Sequence, residues 1–187
     1  GIASETNRYV EAVKGSPVHI MDTRKTTPGL RLLEKYAVRA GGGENHRMNL
    51  SDGILIKDNH LAALRNRGLS LKEIIAKARQ NAPLPLRGAL SRSNLEAKQT
   101  QIEVEVKTVP EAVEAAEAGA DTIMLDNMSL EDMCEAVKSI HGRALIEASG
   151  GITLDRVRAI AGTGVDFISV GVLTHSARAL DISLELE

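Results

Sequence analysis

Short apolar runs rich in Val and Ile recur at residues 18–21, 54–57, 102–106, 122–125, 144–146 and 167–170, and segments with helical periodicity lie between most of them. This alternation constrains the fold more than any other feature, because strands separated by helical crossovers pair in parallel. Helix punctuation agrees with it. Ser70 with Glu73 and Ser129 with Asp132 have the spacing of N-terminal caps, and Thr153 precedes an amphipathic run that ends near Gly162 and Gly164. Pro110 to Ala118 reads as a helix with proline in its first turn and Gly119 just past its end.

Six strands, most followed by a helix, predict an α/β fold of the TIM-like (β/α) barrel type with about six or seven strands, incompletely closed. An open doubly wound sheet is the alternative. The barrel is favoured because polar residues follow nearly every strand; strand ends converge on one mouth in a barrel and are spread apart in an open sheet. The 187 residues, 43% of them hydrophobic, suit one domain spanning 1–187 with a single core. Residues 83–101 break the rhythm, since a link from helix to strand is usually about 2 to 6 residues long. A short extra helix over 93–101, capped by Ser93 or Asn94, is expected there, on the face opposite the mouth and without a mechanistic role.

Composition excludes several functions. With Tyr9, Tyr36 and Phe167 as the only aromatics and a net charge of −2, the chain lacks both the stacking platforms and the basic excess of nucleic-acid binders. Cys134 is the single cysteine, so no intrachain disulfide or thiolate metal cluster forms; no apolar run approaches the ~20 residues of a membrane span. The chain reads as soluble and cytosolic. Met133 and Cys134 fall at core spacing and are assigned to packing, while His19 and His141 read as structural or exposed.

The strand ends carry three chemical groups. Arg24, Lys25, His46, Arg47 and Lys57 are cationic and come from the first half of the chain. Guanidinium groups match carboxylates and phosphates bidentately, so cations converging on one mouth imply a ligand with more than one negative charge; dispersed, they would be ordinary solvated residues. The second group is acidic: Glu105 and Asp126, with Glu147 nearby, can hold Mg²⁺ or hydrogen-bond ribose hydroxyls. Glu103 and Glu105 lie on one side of their strand and Val104 and Val106 on the other, so a buried carboxylate paired with Lys25 or Lys57 is the plainer reading. Third, Ser149, Gly150 and Gly151 after the fifth strand and Gly171 after the sixth would cradle a phosphate.

The run MDTRKTTPGLRLLEKYAVRAGGGENHRMNLSDGILIKDNHL, Met21 to Leu61, closely resembles the signature region of the quinolinate phosphoribosyltransferases, and the resemblance resumes at IEVEV, AGADTIMLDNMS, HGRALIEASGGIT, TGVDFISVGVLTHSA and LDISL. It covers nearly everything except 83–101. The resemblance implies phosphoribosyl transfer from phosphoribosyl pyrophosphate to quinolinate with decarboxylation, giving nicotinate mononucleotide in NAD biosynthesis. It implies that Arg24, His46, Arg47 and Lys57 hold the quinolinate carboxylates and that Lys25 lies near pyrophosphate and ribose. Glu105 and Asp126 would serve ribose and Mg²⁺, and Ser149, Gly150, Gly151, Gly171 and His175 the 5′-phosphate. The family also carries an N-terminal domain that completes the site of a neighbouring subunit, so a homodimer or higher oligomer is expected, and turnover by a barrel without that domain is in question. A Schiff-base aldolase using Lys25 or Lys57, and a non-catalytic barrel that binds phosphate, are the competing readings.

Overall fold

In a computed structural model, which describes residues 1–82, 100–179 and 181–185, the six predicted runs are six parallel strands. They are β1 (His19–Met21), β2 (Ile54–Ile56), β3 (Ile102–Val106), β4 (Thr122–Asp126), β5 (Leu145–Ser149) and β6 (Phe167–Ser169). The helices are α1 (Ile2–Ala12), α2 (Arg31–Ala40), α3 (Asp58–Arg65), α4 (Leu71–Asn81), α5 (Val109–Glu117), α6 (Leu130–Ile140), α7 (Val157–Ala161) and α8 (Val172–His175).

The sheet order is β1-β6-β5-β4-β3-β2. A doubly wound sheet would reverse direction at an internal switch point. Here the order never reverses, and the first two strands lie at opposite edges, which is the order of a barrel with one seam. The seam between β1 and β2 is partly bridged. Glu44 forms an isolated parallel bridge with Met21, donating to the Ile20 carbonyl at 2.8 Å and accepting from the Asp22 N–H at 3.1 Å. Across the gap, Arg47 Nη1 donates to the Gly53 carbonyl, just before β2, at 2.7 Å. The segment from Glu44 to Arg47 therefore acts as a rudimentary seventh strand, and the barrel is incompletely closed.

Alternation decides which residues meet which layer. Ile102, Val104 and Val106 on β3, Ile123 and Leu125 on β4, Ile146 and Ala148 on β5 and Ile168 on β6 are buried in the main core. The intervening positions face the barrel axis, where the register sets Glu103 beside Thr122, Glu105 beside Met124, Met124 beside Glu147, and Glu147 beside Phe167. A barrel interior is ordinarily filled with aliphatic layers; this one carries carboxylates.

The caps stand largely as read. Ser70 Oγ accepts from the Glu73 N–H at 3.3 Å, and Glu73 answers to the Ser70 N–H at 2.8 Å. Ser129 caps α6 through the Asp132 N–H at 3.0 Å, Pro110 lies in the first turn of α5, and Gly119 follows it with φ +89°. Thr153 is not a cap: α7 starts only at Val157, and Thr153 contributes its carbonyl, which accepts from the Arg156 and Val157 N–H groups. The fifth strand runs on past 146 to Ser149, because Asp126 extends the pairing of β4 to that point. Met133 is buried as expected, whereas Cys134 is only half-buried. His19 pairs with Glu44 at 3.0 Å, and exposed His141 ends α6 in a left-handed conformation. The helix expected over 93–101 falls mostly outside the described residues.

Helix α2 inverts the usual amphipathic arrangement. Leu32, Leu33 and Tyr36 point to solvent, while Glu34, Lys35 and Val38 are buried. The reason is a polar cluster at the seam. Lys35 Nζ, fully buried, donates to Asp22 Oδ1 at 2.5 Å and to the His46 carbonyl at 3.1 Å. Asp22 also accepts from the His46 N–H at 2.9 Å and from Asn45 Nδ2 at 2.7 Å. Burial pushes the Asp22 carboxyl up and the Lys35 ammonium down, each against the attraction of the other, so the pair persists only as a mutually satisfied unit. Gly43 lets this loop pass under α1: a Cβ there would lie 2.7 Å from Thr6 Cγ2 and 2.9 Å from Val38 Cγ1.

Lys35→Met keeps the apolar stem but leaves Asp22 buried without its cation. We expect a loss of about 3–5 kcal/mol in denaturant unfolding, the scale for breaking a buried pair, against less than about 0.5 kcal/mol for Lys72→Met on the exposed face of α4.

Candidate active site

Arg24, Lys25, His46, Arg47, Lys57, Glu105, Asp126, Ser149, Gly150, Gly151, Gly171 and His175, all singled out from the sequence, line one cavity of about 680 Å³ at the carboxyl ends of the strands, with Glu147; Glu103 lies outside its lining. The volume suits a small organic ligand.

The loop after β1 is fixed by residues outside the cavity wall. Arg31 Nε donates to Thr26 Oγ1 at 3.0 Å and Nη2 to the Arg24 carbonyl at 3.3 Å; Glu34 accepts from the Thr27 N–H at 3.0 Å; Thr174 Oγ donates to the Lys25 carbonyl at 2.7 Å. Arg24 and Lys25 are thereby held at the rim by both α2 and α8. The Nε atoms of Arg24 and Arg47 are buried and have no hydrogen-bond partner among the described residues. Leaving a buried N–H unpaired costs about 1–3 kcal/mol, more for a charged group, so two such donors on one cavity are poised for acceptors from a ligand.

Beneath the cations lies a hydrogen-bonded chain. His46 Nε2 is 3.0 Å from Glu103 Oε2 and 3.5 Å from Glu147 Oε2, and its Nδ1 accepts from the Arg47 N–H at 2.8 Å. Burial lowers the His46 pKa, but the charge of Glu147 and the hydrogen bond and charge of Glu103 outweigh it and lift it to about 9. The Arg47 N–H opposes that second proton, because a ring nitrogen that accepts a hydrogen bond carries none. The Glu147 carboxyl, which faces the same two groups, is pushed up to about 8 by burial and by the charge of Glu103.

His46, Glu103 and Glu147 place ligand atoms within 4.8 Å of one another, close enough to chelate a metal ion. The surroundings do not fit one. A metal-bound histidine donates through its other ring nitrogen, and here that nitrogen receives.

The plainer reading of the acids holds for Glu105, which accepts from Lys57 Nζ at 2.6 Å; Glu103 pairs with His46 and not with a lysine. Asp126 accepts from Asn127 Nδ2 at 3.0 Å. Asn127 shapes the glycine loop: its φ is +55°, and a Cβ on Gly150, itself at φ +87°, would fall inside the Asn127 carboxamide. On Gly171 a Cβ would come within 3.2 Å of His175 Nε2. Tyr9, Thr23, Asn127 and Thr153 also line the cavity. Tyr9 arrives from α1, far away in the chain, and no local motif marks it.

A barrel whose mouth gathers cations, carboxylates and glycine loops has the features of an anion-binding site. Comparison with known proteins makes this specific. The family model described as quinolinate phosphoribosyl transferase, C-terminal domain, matches residues 2–185, and the chain belongs to that family. It is 47% identical over 186 residues to a protein of Bacillus subtilis (strain 168) named probable nicotinate-nucleotide pyrophosphorylase [carboxylating], covering 100% of this chain and 58% of the relative. It is 42% identical over 191 residues to the nicotinate-nucleotide pyrophosphorylase [carboxylating] of Rattus norvegicus, again covering 100% and 58%. A crystal structure of NadC from Streptococcus pyogenes superposes with a TM-score of 0.84 at 49% identity, over 99% of this chain and 59% of that one. The chain thus spans somewhat more than half the length of these relatives.

Gly150→Ala adds a steric clash to backbone strain, whereas Gly68→Ala, at φ +77° with nothing within 4 Å of its Cβ, adds strain alone. Strain of this kind costs about 1–3 kcal/mol. We expect Gly150→Ala to be the more destabilising of the two in denaturant unfolding.

Proposed function

We propose that this chain carries the centre at which quinolinate and phosphoribosyl pyrophosphate meet, and that it transfers the phosphoribosyl group with decarboxylation to give nicotinate mononucleotide for NAD biosynthesis. The observation that carries the reading is the pair of buried guanidinium Nε groups of Arg24 and Arg47, without partners among the described residues, on one cavity that Lys57 also lines. A pyridine dicarboxylate supplies the two anions that such donors lack. Lys25 is exposed at the rim, where a pyrophosphate would lie, and the loops at Ser149–Gly151 and Gly171–His175 offer a place for the 5′-phosphate.

In this reaction the pyridine nitrogen forms a bond to C1 of the ribose as the bond from C1 to pyrophosphate breaks. The bond from ring C2 to its carboxylate then breaks, CO₂ leaves, and C2 takes up a proton. The contribution of the protein is orientation and electrostatics: the cations fix the dicarboxylate, and Glu105 and Asp126 favour positive charge developing on the ribose. The same two carboxylates fit Mg²⁺, a hard cation that takes one or two carboxylate oxygens together with substrate phosphates. When bound, it would neutralise the departing pyrophosphate. The Schiff-base aldolase and the non-catalytic barrel have no comparable support from the relatives.

Assembly belongs to the same proposal. Leu32, Leu33, Tyr36 and Leu50 are 73%, 68%, 71% and 70% exposed, a cost to a lone domain that a homodimer would remove. No described helix is long and apolar enough to cross a membrane, and a cytoplasmic setting suits a chain with one cysteine.

Two measurements test these readings. By titration calorimetry, Arg24→Ala should weaken quinolinate binding by about 2–5 kcal/mol and half-exposed Lys57→Ala by about 1 kcal/mol; unchanged affinity in both variants would end the assignment. Sedimentation should give twice the mass of the chain at micromolar concentration, and a monomer there would remove the dimer.

A further inference from the structure

We infer that Arg31 is a positioning residue: it latches the loop that carries Arg24 to the turn that follows Arg47, and so fixes the separation of those two guanidinium groups before a dicarboxylate arrives. The inference rests on the proposed function and deepens it. Arg31 is the first residue of α2, half-buried, and lies outside the cavity lining. Each nitrogen of its guanidinium is engaged. Nε donates to Thr26 Oγ1 at 3.0 Å and Nη2 to the Arg24 carbonyl at 3.3 Å, both on the loop after β1; Nη1 donates to the Met48 carbonyl at 3.3 Å, on the turn.

The turn is itself closed. Asp52 Oδ2 accepts from the Met48 N–H at 2.8 Å and the Asn49 N–H at 3.0 Å, and Arg47 Nη1 donates to the Gly53 carbonyl at 2.7 Å. Among the described residues, no hydrogen bond other than those of Arg31 links residues 47–53 to residues 23–30. A link is needed, because the groups on the two segments repel: burial and the charge of Arg24 both lower the Arg47 pKa, against the attraction of Glu103. The acceptors of Arg31 are neutral oxygens, so the latch brings in no anion to compete with a ligand for the Nε donors of Arg24 and Arg47. Arginine's rigid fork serves several acceptors in fixed directions, whereas a lysine offers one nitrogen at a single point. A ligand that needs both guanidinium groups binds more tightly where their spacing is set beforehand.

Backbone hydrogen exchange of this chain tests the latch without any ligand. In Arg31→Lys, which keeps the charge and loses the fork, the amides of Thr26, Thr27, Met48 and Asn49 should exchange about 10- to 100-fold faster, the scale of a hydrogen bond from a charged group, while those of α6 stay as in the parent. Acceleration in one segment only, or in neither, would overturn the inference. Should α6 quicken too, Thr26→Val decides: it removes one acceptor and keeps the fork, and both segments should quicken together by about threefold, the scale of an ordinary hydrogen bond, whereas an unchanged turn at Met48 and Asn49 would refute the latch. Titration calorimetry gives the arm tied to function. Arg31→Lys should bind quinolinate about 10-fold more weakly, because a ligand that requires the joined arrangement binds in proportion to its population, and saturating quinolinate should return both segments to slow exchange. Unchanged affinity, or segments still fast under saturating quinolinate, would make Arg31 structural only and end the inference. If the parent chain binds no quinolinate the functional reading fails, and the exchange measured without ligand still upholds or refutes the latch.

Discussion

The buried contact between Lys35 and Asp22 holds the rest of the architecture in place. A parallel barrel closes when its last strand pairs with its first, and here β1 and β2 are left at opposite edges with no pairing between them. The gap is spanned by the strip from Glu44 to Arg47, and that strip has a single backbone ladder, on β1. Its other attachments are polar side chains: Asp22 gathers Lys35, Asn45 and the His46 N–H, and Lys35 reaches on to the His46 carbonyl. A buried charge pair, together with Val38 and Ile20 of the apolar core, joins α2, β1 and the strip.

The candidate site inherits its geometry from this seam. His46 and Arg47 sit on the same strip whose other end is fastened by Asp22, and Arg24 follows Asp22 by two residues. Three of the five cations are therefore placed by one buried ion pair. From below, the carboxyls of Glu103 and Glu147 replace the aliphatic side chains that fill other barrels of this kind. An interior acid is costly, and here the cost is offset by a chain of hydrogen bonds that ends beneath a guanidinium.

Much of this was legible in the order of residues and some was not. The six Val- and Ile-rich runs gave the strands, because parallel strands buried on both faces need continuous apolar stretches. The polar residues that follow each run converge on one cavity because parallel strands all end on one side. Helix α2 could not be read in the same way: Leu32, Leu33 and Tyr36 predict an apolar inner face, and they lie outside. Lys35 escaped notice for that reason, since a lysine flanked by leucines in a charged helix looks solvated until Asp22 is seen beside it. Asp22 stood at a strand end in plain view, but its partner was thirteen residues away on another element. A threonine before an amphipathic stretch resembles a cap, whereas at Thr153 the chain makes a turn before α7 begins. His46 was visible as a candidate ligand; that both its nitrogens are engaged is a matter of ring orientation, which no spacing encodes.

The strand order carries one more implication. The cationic group of the site runs from Arg24 to Lys57 in the chain, and the acids of the strands follow it, from Glu103 to Glu147. Neither half alone has a balanced mouth. The first would be a cluster of mutually repelling charges and the second a set of acids without counterions, so assembly of the sheet neutralises both at once. Electrostatic attraction between the two halves then favours the same closure that builds the pocket, and a molecule caught with its seam sprung apart would have lost its chemistry before it had lost its helices.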